Sequence, residues 1–163
     1  MTAAGFIGAK NNIIDMKEIS IIPYDVKYCD ETVIMKRDSK EKAIGQKDMY
    51  SFSESKNFLD NILAKNYKTY IALLDNKVTG IIAFNETEVN QLYIHNEFQR
   101  IGIGKKLLDI AKTNSTGVLS LYTFDINKNA QRFYEKNGFK IIGRNYENEE
   151  KLSDIKYEWK REI

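Results

Sequence analysis

Apolar and polar residues alternate along the chain first at the period of a strand and then at that of a helix, and the switches between the two divide it into elements. From Lys17 to Ile22, Ile19 and Ile21 lie on one side and Glu18 and Ser20 on the other. This pattern predicts a half-buried strand ended by Pro23. Tyr24 to Arg37 carries Val26, Cys29, Val33 and Ile34 at helical spacings of three and four. Ser53-Glu54-Ser55 precedes a second helical run, Phe58, Leu59, Ile62 and Leu63. Between these helices, Asp38 to Phe52 is polar and is assigned to neither period.

Three strands are predicted next, Lys68 to Leu74, Val78 to Phe84 and Glu88 to Ile94, all rich in Ile, Leu, Val, Tyr and Phe. The short polar links Asp75-Asn76-Lys77 and Asn85-Glu86-Thr87 make them an antiparallel meander. Gly104 to Lys112 is a helix with Leu107, Leu108 and Ala111 on one face, and Val118 to Phe124 is a compact apolar strand. Asn129 to Lys136 is helical again and stops at Asn137-Gly138, because glycine takes the left-handed conformation at a helix end. Phe139 to Gly143 and Ile155 to Trp159 are the last strands, joined by an acidic loop from Glu147 to Asp154. About seven strands and about four helices in this order predict one α/β domain with a central mixed, mostly antiparallel sheet rather than a regular βαβ repeat. The domain is expected over residues 13–163, with 1–12 as a disordered lead-in.

Composition narrows the chemistry. At 163 residues with 42% hydrophobic side chains, one core suffices. Charged residues make up 29% of the chain but nearly cancel, to +2, which disfavours nucleic acid as a partner. Cys29 is the only cysteine and His95 the only histidine, so neither an internal disulfide nor a zinc-finger type of site can be assembled, and no metal is expected. A reducing cytoplasm fits this usage. No basic segment followed by a sustained apolar core opens the chain, and no apolar run reaches about 18 residues, so neither a signal peptide nor a membrane span is expected.

The stretch NEFQRIGIGKKLLDIA, residues 96–111, sets Gly102 and Gly104 at the entrance of the third helix. Residues without a Cβ let a ligand approach the main chain, and a helix N-terminus offers unpaired N–H groups at the positive end of the macrodipole. Such a place binds phosphate, and Arg100, Lys105 and Lys106 add charge to it. It is not a dinucleotide fingerprint, because Leu107 stands where the third glycine belongs. Nor is it a Walker loop, because Lys106 takes the place of the Ser or Thr.

Gln99-Arg100-Ile101-Gly102-Ile103-Gly104 matches Q/R-x-x-G-x-G/A, the acetyl-CoA pyrophosphate loop of the GCN5-related N-acetyltransferase (GNAT) superfamily. EVNQLYIHNEFQ before it resembles that family's fourth strand. NKNAQRFYEKNGFK resembles its N-x-x-A-x-x-F-Y-x-x-x-G-F segment, through Asn127, Ala130, Phe133, Tyr134, Gly138 and Phe139. The resemblance covers roughly residues 68–143 and implies the GNAT fold, with acetyl-CoA as cosubstrate and no metal. It implies that backbone amides from Gln99 through Arg100, Ile101, Gly102, Ile103 and Gly104 to Lys105 hold the pyrophosphate. Main-chain groups of Leu92, Tyr93 and Ile94 then pair with the pantetheine like an added strand. Asn127 bonds to the same arm, and Tyr134 contacts the cofactor and protonates the departing thiolate.

Glu88, eleven positions before Gln99, matches the family's strand-four carboxylate and is the implied base. An ammonium with a pKa of about 10.4 transfers a proton poorly to a carboxylate near 4.3, so a raised carboxylate pKa or a water relay is needed. His95, beside the loop, ranks third among the proton-transfer candidates. The implied acceptor is a primary amine of a small molecule or peptide, enclosed by residues 38–54 and 145–155. There Tyr50 and Phe52 are candidate walls, and Glu147, Glu149, Glu150 and Asp154 candidate attractors of a cation. The alternative is a catalytically silent acyl-CoA-binding regulatory module. Relatives commonly dimerise, which leaves a homodimer open, and no membrane partner is implied.

Overall fold

The computed structural model describes residues 18–162, so the expected lead-in and Lys17 of the first strand lie outside the described residues. The chain runs β1 (Ser20–Pro23), a 3₁₀ turn (Val26–Tyr28), α1 (Cys29–Ile44) and α2, which starts as Phe52–Asn57, passes through π-type hydrogen bonding at Phe58–Leu63 and ends at Ala64–Asn66. Then follow β2 (Lys68–Leu74), β3 (Lys77–Phe84), β4 (Val89–Ile94), a 3₁₀ turn (Asn96–Phe98), α3 (Ile103–Thr113), β5 (Val118–Phe124), α4 (Lys128–Lys136), β6 (Lys140–Tyr146) and β7 (Asp154–Lys160). No helix among the described residues is long and apolar enough to cross a membrane.

The strands pair antiparallel in two groups, β1-β2-β3-β4 and β5-β7-β6. The groups meet at one parallel bridge, Glu88 to Ser120, flanked by N–H···O bonds from Ser120 to Thr87 (2.9 Å) and from Thr116 to Glu86 (3.0 Å). Seven strands and four helices with a single parallel junction give the mixed, mostly antiparallel sheet that the sequence predicts. The meander of β2 to β4 forms as expected. Its first turn is tight, with Asp75 and Asn76 at φ +49° and +65°, a conformation these two residue types tolerate.

β2 and β3 are buried on both faces, which is why they read as nearly unbroken apolar runs. Ile71, Leu73, Ile81 and Ala83 face α1 and α2, packing with Val33, Met35, Leu59 and Leu63. Ala72, Ile82 and Phe84 face α3, where Leu107, Leu108 and Ala111 form the inward stripe and are fully buried, together with β5, β7, Tyr134 and Phe139.

The first two helices depart from expectation. Asp25 caps the 3₁₀ turn through a bond from the Lys27 N–H (2.9 Å), so α1 begins at Cys29, and Val26 and Ile34 of the predicted stripe are 68% and 52% exposed. The helix continues through the polar residues 38–44 to Gly45, which closes it at φ +71°. Its buried residues are Cys29, Thr32, Val33, Met35, Ser39 and Ile44, and Lys36 and Lys40 lie half-buried beside them, so polar side chains share the inward side with apolar ones. The second helix starts two residues before Glu54, where Ser51 and Glu54 form a reciprocal capping box. Finally, β6 runs on to Tyr146, three residues beyond the predicted end, because β7 pairs with it as far as Asp154.

Leu107→Ala should lower stability by about 2–5 kcal/mol, since it empties a fully enclosed site. Ser51→Ala should cost about 1 kcal/mol through the lost cap. Urea titrations should show both as a lower midpoint with an unchanged slope.

Candidate active site

Beyond the Glu88–Ser120 bridge, β4 and β5 separate. Residues 89–94 of β4 keep their partners on β3, while their other edge faces a cleft of about 1020 Å³ whose opposite wall is Leu121 to Phe124 of β5 and the start of α4. Five lysines and two arginines line the cleft and no Asp or Glu does, although the chain as a whole carries only +2. The charges are segregated toward this opening, which suits a ligand with several negative charges.

The floor at one end is the loop from Gln99 to Gly104. Gln99 Nε2 donates to the Ile94 carbonyl (3.1 Å), which ties the loop to the end of β4. Arg100 and Gly102 both have positive φ, +66° and +96°, and turn the chain so that α3 begins with no side-chain cap. Its first amides are therefore left for a ligand. The two glycines serve different ends. Gly102 supplies a left-handed backbone, whereas a Cβ on Gly104 would lie 3.1 Å from the Phe133 ring, so this glycine lets α3 approach α4. Arg100 and Lys105 line the cleft; Lys105 also holds Asp109 at 2.9 Å.

Asn127 caps α4, its Oδ1 accepting from the Ala130 N–H (3.1 Å), and lines the cleft, where its amide donor is left free among the described residues. Tyr134 also lines the cleft. It is 7% exposed, set against Phe133, Phe139 and Tyr157 with ring centroids 5.3–6.0 Å away. Its hydroxyl has no hydrogen-bond partner among the described residues. Burial, and secondarily Tyr93, push its pKa up, so the phenol keeps its proton at neutral pH. Gln91 Oε1, on β4 at the cleft, is buried without a partner. A long anionic thioester with amides along its arm fits these features: an unpaired strand edge, an orphaned acceptor, uncapped helix amides and surrounding cations.

The other predicted side chains are more dispersed. Glu88 is half-buried at the bridge. Its Oε1 accepts from the Tyr67 hydroxyl (2.7 Å) and Asn85 Nδ2 (3.4 Å), and it is not among the side chains lining the cleft. Tyr67, which holds it, carries no motif that would have marked it in the sequence. His95 points away. Its Nδ1 accepts from the Glu97 N–H (3.0 Å), its ring packs edge-on to Phe98, and it lines a separate groove of about 320 Å³.

On the far side of β4, Tyr93 faces α1 and α2, where Lys36 lies over its ring. Burial, then the carboxylates of Glu150, Asp48 and Asp154, push the Tyr93 phenol up. Of the acidic loop, Glu150 is bound to Lys40 (3.6 Å), with side chains 12% and 13% exposed, and Glu147 and Glu149 are exposed. Burial raises the Asp154 carboxyl, and Glu150 adds to that rise, against a lowering contribution from Asn148. Tyr50 and Phe52 do not wall the cleft: the Tyr50 carbonyl accepts from Arg37 (2.6 Å), and Phe52 is 38% exposed beneath Lys56. Among the described residues no group of three His, Cys, Asp or Glu side chains is placed to hold a metal.

The family described as Acetyltransferase (GNAT) domain matches residues 27–160, and the chain belongs to it. It is accordingly an acetyltransferase, with acetyl-CoA as its donor. Solved structures share the fold. An acetyltransferase of the GNAT family from Staphylococcus aureus Mu50 is 21% identical over 88% of this chain and 99% of that one, with a TM-score of 0.71. The PaiA N-acetyltransferase of Thermoplasma acidophilum, solved with coenzyme A, is 22% identical over 87% and 98%, with a TM-score of 0.63. YncA from Salmonella typhimurium, solved with acetyl-CoA, is 16% identical over 89% and 95%, with a TM-score of 0.66. No curated protein matches the chain.

Gly102→Ala should strain the loop by about 1–3 kcal/mol, because alanine resists φ near +96°. Calorimetric titration with coenzyme A should show a Kd raised about fivefold or more, with the far-UV spectrum unchanged.

Proposed function

We propose that this protein transfers the acetyl group of acetyl-CoA to a primary amine of a small molecule or peptide by direct attack. The observation that carries the reading is the cleft itself: cationic, free of carboxylates, and running along the unpaired edge of β4 to a protonated phenol. The amides from Gln99 to Lys105 take the pyrophosphate, where the start of α3 and Arg100 answer its charge. Main-chain groups of Leu92, Tyr93 and Ile94 bond to the pantetheine, and the free donor of Asn127 adds one more bond. The acetyl group then lies where the two sheets part, between the acceptor on the α1 side and Tyr134 on the α4 side.

The nucleophile must be a neutral amine. Glu88 receives its proton through water, since Tyr67 and Asn85 hold the carboxylate short of the cleft. As the tetrahedral intermediate collapses, Tyr134 gives its proton to the thiolate. Burial serves that role, because a phenol that stays protonated at neutral pH is ready to donate.

A thiol-release assay across a panel of amines tests the reading. CoA should appear above the hydrolysis rate for at least one acceptor, and tight acetyl-CoA binding with no release for any acceptor would overturn it. Tyr134→Phe should lower kcat about 10- to 10³-fold while the affinity for acetyl-CoA is nearly retained. Glu88→Gln should lower kcat about tenfold or more, again with donor affinity kept. An unchanged kcat would leave water alone as the base.

A further inference from the structure

Two lysines, Lys36 and Lys40, lie half-buried on α1 beside its buried residues. Lys40 is answered by Glu150. Lys36, one turn earlier and half-buried, has no hydrogen-bond or ion-pair partner among the described residues. Its Nζ lies 4.9 Å from the centroid of Phe58 on α2 and 5.7 Å from that of Tyr93 on β4. Thr32 Oγ1, a turn further back on the same helix, is likewise buried without a partner. Tyr93 lines the cleft and is close enough to Tyr134 to push that phenol up. One ring thus separates the amine of Lys36 from the edge along which the donor would lie.

We infer that Lys36 is an internal acceptor, acetylated by the chain itself from acetyl-CoA bound in the cleft. This rests on the acetyl-transfer reading above. The nitrogen of Lys36 forms a bond to the acetyl carbonyl carbon, and the bond from that carbon to the CoA sulfur breaks. The sulfur leaves as a thiol after taking the proton of Tyr134, and the proton lost by the lysine nitrogen restores the phenol. No further reactant is needed.

Lys36 lies behind the Tyr93 ring rather than in the cleft lining, and two physical features favour it over the lysines that do line the cleft. Lys40, Lys105 and Lys128 are ion-paired with Glu150, Asp109 and Asp125, and Lys42 and Lys136 are exposed to solvent. Lys36 is pushed down to about 8, first by burial and then by Lys40, with only Asp48 opposing and the uncharged Phe58 and Tyr93 rings on its other sides. Burial therefore favours the neutral, nucleophilic form of this amine over that of an exposed lysine. The product is also better suited to its surroundings, since a neutral amide between two rings removes a poorly solvated charge. It narrows the acceptor side of β4 as well, so acetylated chains should turn over added amines more slowly.

The test incubates the purified full chain with acetyl-CoA and maps acetyl-lysine by peptide mass spectrometry. Lys36 should approach full occupancy at a rate that tenfold dilution of the protein leaves unchanged, and an excess of desulfo-CoA should block the modification. The rate should level off near pH 8, while exposed lysines continue to gain reactivity toward their ordinary value of about 10.5. Preincubation with acetyl-CoA should slow amine turnover in the wild type and not in Lys36→Met, whose side chain still fills the space between the rings. If that variant fails to fold, mapping on the wild type decides alone. Lys36 left unmodified while the amine panel is turned over would overturn the inference and leave the function standing. Modification at the level of exposed lysines, indifferent to desulfo-CoA, would overturn it too. Transfer to neither Lys36 nor the panel would overturn both.

Discussion

Two neighbouring parallel strands that share one bridge and then part leave backbone groups along one edge of β4 with nothing in the fold to pair with. Inside a domain such an edge is costly unless water or a ligand occupies it. The rest of the architecture is arranged around that gap. β2 and β3, buried on both faces, fix one wall by holding β4 against them. The β5-β7-β6 group fixes the other, and α3 begins where β4 ends, so the amides of the helix continue the line of donors that the strand edge starts. A linear ligand with amides in its arm and phosphates at one end matches that line by shape before any side chain contributes.

Side chains then sort the two sides of β4 by charge. The cleft side holds lysines and arginines from α1, the loop before α3, and α4. The side of α1 and α2 presents Tyr93 to Asp48, Glu150 and Asp154. A chain that is nearly neutral overall therefore has a cationic cleft beside β4, with three carboxylates near Tyr93.

The first helix reflects the same division. Core residues Cys29, Val33, Met35 and Ile44 share its inward side with buried Ser39 and half-buried Lys36 and Lys40. Polar groups on an inward helix face cost stability unless they are satisfied. Lys40 is satisfied by Glu150, whereas Lys36 has only the faces of two rings. The π-type turn at Phe58 to Leu63 lies in the segment that supplies one of those rings, while Leu59 and Leu63 keep the helix anchored in the core.

Short-range order was written plainly in the amino acids. Unbroken apolar runs announced β2 and β3, the spacing of Leu107, Leu108 and Ala111 announced α3, and the glycine pair with the Asn127-to-Phe139 segment announced the loop and the phenol, because periods and turn chemistry act over a few residues. Tertiary structure decided what depends on sums over distant parts of the chain. It showed that residues 38–44 continue a helix whose inward face mixes polar and apolar side chains. It turned Glu88 onto Tyr67 and His95 away from the cleft, and it gathered cations from three separated segments into one opening. Gly104 illustrates the difference. Its presence is visible in the sequence, but the reason for it is a phenyl ring 29 positions later, which the packing of α4 on α3 brings within 3.1 Å of where a Cβ would stand.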